Sequence, residues 1–387
     1  MTAEIVKGFK DISGEEAIKR EKIKKILVDT FELYSFEPAE TPVIEYEEFV
    51  KGNNSNDQAV SDIFKLKDRG ERKLALRYEF TFQLKRLAQN KKLPYKRYQI
   101  GPVFRDEPTG TNRFRQFISC DADIIGSTIK DEAEIFSMIQ EITKKLGVKS
   151  TFYVNNRKLL NEIFNSLKIK VSDKEQVLRE IDKLDKLPES EIRQNLKKFN
   201  AEEVLDILKN KNEFFKRFES YKEIEELKEY CKLYNIELEF CPFLARGLSY
   251  YTGTIFEIKT KEIKETIFGG GAYNFNNINS FGFGVSLERL LSVSKLIILN
   301  KQVLIISLDQ DKKSIEIAEF LRKNNISSSI FYGKPSKALE YANSKSISKV
   351  IFIGENEIKS KKYKLKEMVS GKEFILSEKE IVKKLLL

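Results

Sequence analysis

The chain has 387 residues, 41% of them hydrophobic, and carries 69 Lys and Arg against 59 Asp and Glu, a formal charge of +10. That length has room for two or three domains, and the positive excess favours an anionic partner, with nucleic acid the leading candidate. Histidine is absent and the three cysteines, Cys120, Cys231 and Cys241, form no CxxC pair, which excludes Ser-His-Asp and Cys-His chemistry and argues against a disulfide framework or a structural zinc site.

In chain order, the opening MTAEIVKGFKDISGEEAIKREK is charged and lacks the apolar core of a secretion signal, which predicts a cytoplasmic protein. Apolar spacing over 14–35 predicts an amphipathic helix. Pro38 and Pro42 then break helix, and Val43 and Ile44 suggest an extended segment. IFKLKD and KLALRYEF, with a turn at Arg69-Gly70, read as antiparallel strands, followed by a helix FQLKRLAQN. YKRYQIGPVFRDE and RQFISCDADIIG read as two strands joined by the loop EPTGTNRFR, before a helix from about Glu132 to Leu146. From 157 to 234 the texture changes to dense charge with leucine and isoleucine at helical intervals, a helical insertion in which Ser172 and Glu175 suggest a capping box. Strand texture returns at Ile236, passes through LARGLSYYTGTIFEI and FGGGAYNFNNINSFGFG, and ends in the helix VSLERLLSV. Beyond 301 strands and helices alternate, which implies parallel βαβ units in a separate domain. The longest apolar runs, LIIL at 296–299 and VLIIS at 303–307, fall far short of the roughly 18 residues of a membrane span.

Two stretches suggest chemistry before any kinship is considered. In FRDEPTGTNRFRQF (104–117), Arg105 and Glu107 share one strand face while Arg113 and Arg115 return beside Phe117. Paired strands bring such side chains within about 5 Å, so bidentate cations meet an aromatic that can stack a base. In FGFGVSLERLL (281–291), Gly282 and Gly284 flatten a strand and Arg289 sits in the next helix, able to point back at a phosphate. No Walker or dinucleotide fingerprint is present.

The order TPVIE, then FRDE with its loop and RQF, then GFGVSLERLL resembles the three motifs of a class II aminoacyl-tRNA synthetase. KGFKDIS, LRYEFT (76–81), LARGLSYYTGTIFE and FGGGAYN resemble the histidyl-tRNA synthetase family in particular. The resemblance covers nearly the whole chain. It implies an α+β fold: a class II antiparallel sheet core in two parts, 1–156 and 236–299, a helical insertion at 157–235, and a C-terminal α/β domain of anticodon-binding type at 300–387. It also implies a histidine–tRNA ligase that uses ATP with Mg2+, holds no metal of its own, takes histidine, ATP and the histidine tRNA as partners, and forms a homodimer through Thr41–Glu45.

By the same resemblance, Arg246 would reach the substrate carboxylate and the α-phosphate, with Gly247 keeping the backbone close, and Tyr250 and Tyr251 would line the imidazole pocket. Glu79 and Thr81 match the positions that receive the α-ammonium. Arg105, Glu107, Arg113 and Phe117 match the ATP clamp, and Arg289 the γ-phosphate contact. Arg246, Arg105 and Arg289 are thus the catalytic candidates. Asp123 falls where the family places a carboxylate facing the imidazole, and Tyr273 follows the glycine loop. Three places depart from the family pattern: Ser119 stands in the segment that usually supplies a histidine-binding glutamine, Ala272-Tyr273-Asn274 replaces Arg-Tyr-Asp, and Ser249 replaces an aspartate. The alternative from another class is a non-catalytic paralogue resembling the regulatory subunit of ATP phosphoribosyltransferase. Lys334, Lys337, Lys345, Lys361 and Lys362 are candidate tRNA phosphate contacts.

Overall fold

Alternation in QFISCDADII and INSFGFGVS makes two-faced strands, because successive side chains on a strand point to opposite sides of its sheet. The computed structural model, which describes residues 3–52, 60, 62–110, 113–246, 250–297 and 302–386, pairs these two segments. In chain order the strands of the first unit are β1 (Glu37–Pro38), β2 (Ile44–Tyr46), β3 (Lys65–Lys67), β4 (Lys73–Leu76), β5 (Tyr95–Phe104), β6 (Gln116–Ile125), β7 (Thr151–Asn156), β8 (Leu238–Phe240), β9 (Tyr251–Lys259), β10 (Phe268–Phe275) and β11 (Ile278–Ser286). Eight of them form one sheet in the order β1-β5-β6-β11-β10-β9-β7-β8, and β2-β4-β3 form a small second sheet. The central pairings of the large sheet are antiparallel, with parallel strands only at its two edges.

One face of that sheet is covered by the helices Gly14–Leu33 and Ile129–Lys145, whose Leu27, Phe31, Phe136 and Ile139 join Cys120, Ala122, Ile124, Phe281 and Phe283 in one core. The Phe136 ring lies 4.8 Å from that of Phe256 and 6.1 Å from that of Phe281, and burying each such ring stabilises the fold by about 1.5–3 kcal/mol. The odd-numbered residues of β6 are left for the other face, which carries the cleft described below. The Ile129–Lys145 helix begins three residues earlier than the spacing predicts, because Asp131 closes a capping box with Thr128. The predicted helix FQLKRLAQN contracts to one turn, Leu84–Leu87, ahead of Asn90 in the left-handed region. The strand at FRDE stops at Phe104: Arg105 makes a last cross-strand bond to Arg115, and the Asp106 N–H turns away to the Asp62 carbonyl.

Helices Arg157–Ser166, Lys174–Ile181, Glu189–Lys197, Glu203–Leu208, Asn212–Phe215 and Tyr221–Leu233 fill the insertion, and their apolar side chains continue the same core. The Ser172–Glu175 capping box does not form. Both Glu175 oxygens are instead taken by Arg157 Nη2, at 3.0 and 2.9 Å, and Ser172 bonds its neighbour Asp173.

The chain divides into two units between Leu296 and Ile297; the expected boundary at 299/300 lies outside the described residues. The second unit contains β12 (Val303–Ser307), β13 (Ser328–Tyr332), β14 (Lys349–Ile353), β15 (Tyr363–Glu367) and β16 (Glu373–Leu376) in the order β13-β12-β14-β15-β16. Its first three strands are parallel, and the last two join antiparallel. Ile317, Leu321 and Ile381 cover one face of this sheet, and Ala338 and Ala342 the other. The five lysines singled out for tRNA contact are all exposed. No described helix is long and apolar enough to cross a membrane. Because both faces of the second sheet carry their own apolar cover, residues 302–386 expressed alone should melt in one cooperative transition followed by circular dichroism. A gradual, non-cooperative loss of signal would show that this unit lacks an independent core.

Candidate active site

All thirteen side chains that the resemblance assigns to histidine and ATP line a single cleft, with about 1010 Å³ of empty space that is partly open to solvent. They are Glu79, Thr81, Arg105, Glu107, Arg113, Phe117, Ser119, Asp123, Arg246, Tyr250, Tyr251, Tyr273 and Arg289. Gly247 and Ser249 lie outside the described residues.

One end of the cleft is cationic. Arg105 donates to the Tyr78 carbonyl at 3.1 Å and stands 5.2 Å from the Phe117 ring centroid. Arg113, half exposed, pairs with Glu107, and Arg115 pairs with Asp106 at 3.1 Å. Arg289 donates to the Thr266 carbonyl at 2.8 Å. Burial lowers its pKa, and Arg105, Arg246 and Arg113 press in the same direction against the opposing pull of Glu265. Like charges held this close call for a polyanion between them.

Arg246 sits in the left-handed region at φ +55° and extends across the sheet to Glu257 Oε1, 3.0 Å away. Burial works against its charge, but Tyr251, Glu257 and Asp182 outweigh that penalty and hold its pKa above the ordinary value. Its guanidinium covers Gly269, where a Cβ would lie 2.3 Å from Nη1. From the insertion, buried Arg157 donates to the carbonyls of Ala245 and Arg246 at 3.2 and 3.4 Å.

The other end is acidic and largely buried. Ser119, Asp121 and Asp123 alternate along β6, and the register sets Gly284 opposite Asp121 and Gly282 opposite Asp123. A Cβ at Gly282 would lie 2.1 Å from Asp123 Oδ1, so the carboxylate occupies the space that the glycine leaves. Tyr273 donates to Asp123 Oδ1 at 2.7 Å, and Arg97, fully buried on β5, places Nη2 2.8 Å from its Oδ2. Glu79 is pushed up to about 7 by burial, with Asp121 and Asp123 adding to the shift and Arg105 opposing it. Tyr250 packs its ring 4.8 Å from Tyr251 and 5.9 Å from Tyr273.

Sequence reasoning missed Asp121, Arg97, Glu257 and Gly269. The period-2 pattern of QFISCDADII could have found Asp121, since it lies two residues from both Ser119 and Asp123. Arg97 gave no such signal, because a lone arginine in a strand is indistinguishable from a solvated one until its partner across the ladder is known.

Comparison with known proteins agrees along the whole chain. A family profile described as histidyl-tRNA synthetase matches residues 8–290, and one described as anticodon binding domain matches 302–386. A protein of Bacillus cereus named histidine–tRNA ligase 1 is 35% identical over 95% of this chain and 94% of its own length. A histidine–tRNA ligase of Wolinella succinogenes is 33% identical over 96% and 95%. In fold, the chain is similar to a histidyl-tRNA synthetase from Nostoc sp., with TM-score 0.86 at 22% identity over 100% and 99% of the two chains. It is also similar to a Bacillus halodurans structure described as an ATP phosphoribosyltransferase regulatory subunit/histidyl-tRNA synthetase, with TM-score 0.74 at 19% identity over 88% and 96%.

Gly269→Ala tests the geometry around Arg246. The atoms nearest the added methyl are the movable end of that side chain, so the protein should melt within a few degrees of the parent while its pyrophosphate exchange falls by about tenfold or more. Exchange equal to the parent's would show that the position of Arg246 over this glycine is immaterial.

Proposed function

The chain belongs to the histidyl-tRNA synthetase family and has the function of a histidine–tRNA ligase, and from that premise we propose how its cleft performs the reaction. The observation that carries this reading is the union, in one cleft, of four arginines at one end with a floor of buried carboxylates at the other. ATP lies with its adenine on Phe117 and its triphosphate among Arg105, Arg113 and Arg289. Arg113 exchanges Glu107 for phosphate at small cost, because a half-exposed ion pair is weak. Among the described residues no three His, Cys, Asp or Glu side chains converge as a metal cage, so Mg2+ would be held chiefly by the phosphates with Glu107 in reach, and would supply further charge neutralisation.

Histidine lies with its α-ammonium toward Glu79 and Thr81 and its imidazole toward Asp123, Tyr250, Tyr251 and Tyr273. Asp123, fixed by Arg97 and Tyr273, accepts from an imidazole N–H. The substrate carboxylate then meets the α-phosphorus beside Arg246 and Arg105. Their fixed charges stabilise the pentavalent transition state without reorganising, which is where preorganised donors contribute most. Pyrophosphate leaves from the Arg113 and Arg289 end, and the terminal ribose hydroxyl of the tRNA takes the acyl group from the adenylate, breaking its bond to phosphate and releasing AMP. A non-catalytic regulatory paralogue would have no use for the phosphate end of this cleft.

The direct test is histidine-dependent exchange of labelled pyrophosphate into ATP, with other amino acids as controls. Arg246→Ala should slow it by roughly two orders of magnitude, the loss of one charged transition-state contact, and leave tRNA binding nearly intact. An unchanged rate would remove Arg246 from the reaction.

The homodimer and the cytoplasmic location belong to the same proposal. Ile44, Tyr46 and Leu66 on the small sheet are 50%, 57% and 37% exposed, an apolar surface that a second copy would cover. Light scattering should give twice the 45.0 kDa chain mass, and a monomer would contradict the dimer. The location follows from the tRNA substrate, and recovery of the protein outside the cytoplasmic fraction would refute it.

A further inference from the structure

We propose that Asp121 is a histidine-binding residue of this chain, its carboxylate sharing the substrate α-ammonium with Glu79 in place of the glutamine that the family usually supplies. The inference rests on the histidine-activating reading of the cleft and deepens it. Ser119 stands in the segment where that glutamine is usual, but its side chain does not serve as a shorter substitute. Its hydroxyl donates to Asp121 Oδ1 at 2.5 Å, so it orients the carboxylate, and no other hydrogen-bond donor reaches Asp121 among the described residues. The register puts Asp121 opposite Gly284, where a Cβ would lie 3.0 Å from Oδ1. The carboxylate therefore lies against bare backbone and faces the cleft.

Position along β6 assigns the part of the substrate it meets. Alternate residues on a strand are about 6.5–7 Å apart. Phe117 marks the ATP end, Asp123 with Tyr273 marks the imidazole end, and Asp121 stands between them, where the substrate Cα and its ammonium must lie. Charge agrees. Asp121 adds to the upward shift of Glu79, and burial pushes Asp121 itself up to about 7, with Ser119, Arg97 and Arg105 opposing and Asp123 adding. Arg77 faces the same carboxylate from the segment after β4. Arg97 is the internal counterion. It is fully buried, its Cα partner is Asp123, and its Nε and Nη1 have no hydrogen-bond partner among the described residues. It offsets the floor without filling the cleft, and an ammonium from the substrate completes the pairing.

Asp121→Asn keeps the shape and removes the charge. Calorimetry on the full chain would compare three ligands: histidine, histidinol, which keeps the ammonium and lacks the carboxylate, and imidazole-propionic acid, which lacks the ammonium. The expected result is at least about a tenfold loss of affinity for the first two, the scale of a charge-assisted hydrogen bond, with the third moved less than threefold. Ser119→Gln should also weaken histidine, because it removes the donor that orients Asp121 and crowds its carboxylate. In an Asp121→Ala background the same glutamine should instead recover at least threefold over Asp121→Ala alone. Equal loss for all three ligands would make Asp121 structural and overturn the proposal, as would unchanged histidine affinity in Asp121→Asn. A parent protein that binds none of the three would overturn the histidine reading of the cleft itself, which separates that failure from a wrong assignment of Asp121.

Discussion

The cleft depends on placing ionised side chains against backbone that has no side chain of its own. Burying a charge in a sheet is costly unless it is paired and given room. Here the room comes from glycines on neighbouring strands: Gly282 under Asp123, Gly284 under Asp121 and Gly269 under Arg246. The other faces of the same strands carry Phe281, Phe283 and Phe268 into the core. Each strand thus alternates an aromatic that anchors it with a glycine that yields space, so the packing that holds the sheet also sets the depth of the cleft.

The insertion is tied to this arrangement through one buried cation. Arg157 opens the helix Arg157–Ser166 and reaches the carbonyls of Ala245 and Arg246, while Glu175 from the next helix holds its guanidinium. The left-handed backbone at Arg246 costs about 1–3 kcal/mol for a residue with a Cβ, and these bonds supply the surroundings that keep it in place. Asp182, at the end of the helix Lys174–Ile181, adds charge facing the same arginine. A segment that reads in sequence as an appendage is therefore part of the support for the arginine proposed to meet the α-phosphorus.

Much of this was legible in the sequence, for a physical reason: short motifs with fixed spacing on strands fix both the neighbours and the face of a residue. The loop FRDEPTGTNRFRQF and the run FGFGVSLERLL gave the cationic end, and the α/β alternation beyond 301 gave the second unit. What escaped were the terms set by long-range pairing. Glu175 looked like a cap because Arg157, 18 residues away, is invisible to local pattern. Ser119 looked like a lost contact because the gain at Asp121 appears only when both are placed on one strand face with Gly284 across the ladder. Arg113 and Glu107 match separate positions of the ATP clamp, and in the structure they pair with each other.

The two ends of the cleft are each out of electrostatic balance, in opposite directions. Burial and neighbouring arginines lower Arg289, and burial and neighbouring carboxylates raise Glu79 and Asp121. In the proposed reaction each end is relieved by the charge that its own substrate carries, a triphosphate for one and an ammonium for the other. The adenylate retains the ammonium and a single phosphate, so it keeps the partner of the acidic end and gives up most of what held the substrate at the cationic end. The same charge separation that gathers two substrates into one cleft therefore holds the activated intermediate while it lets pyrophosphate go.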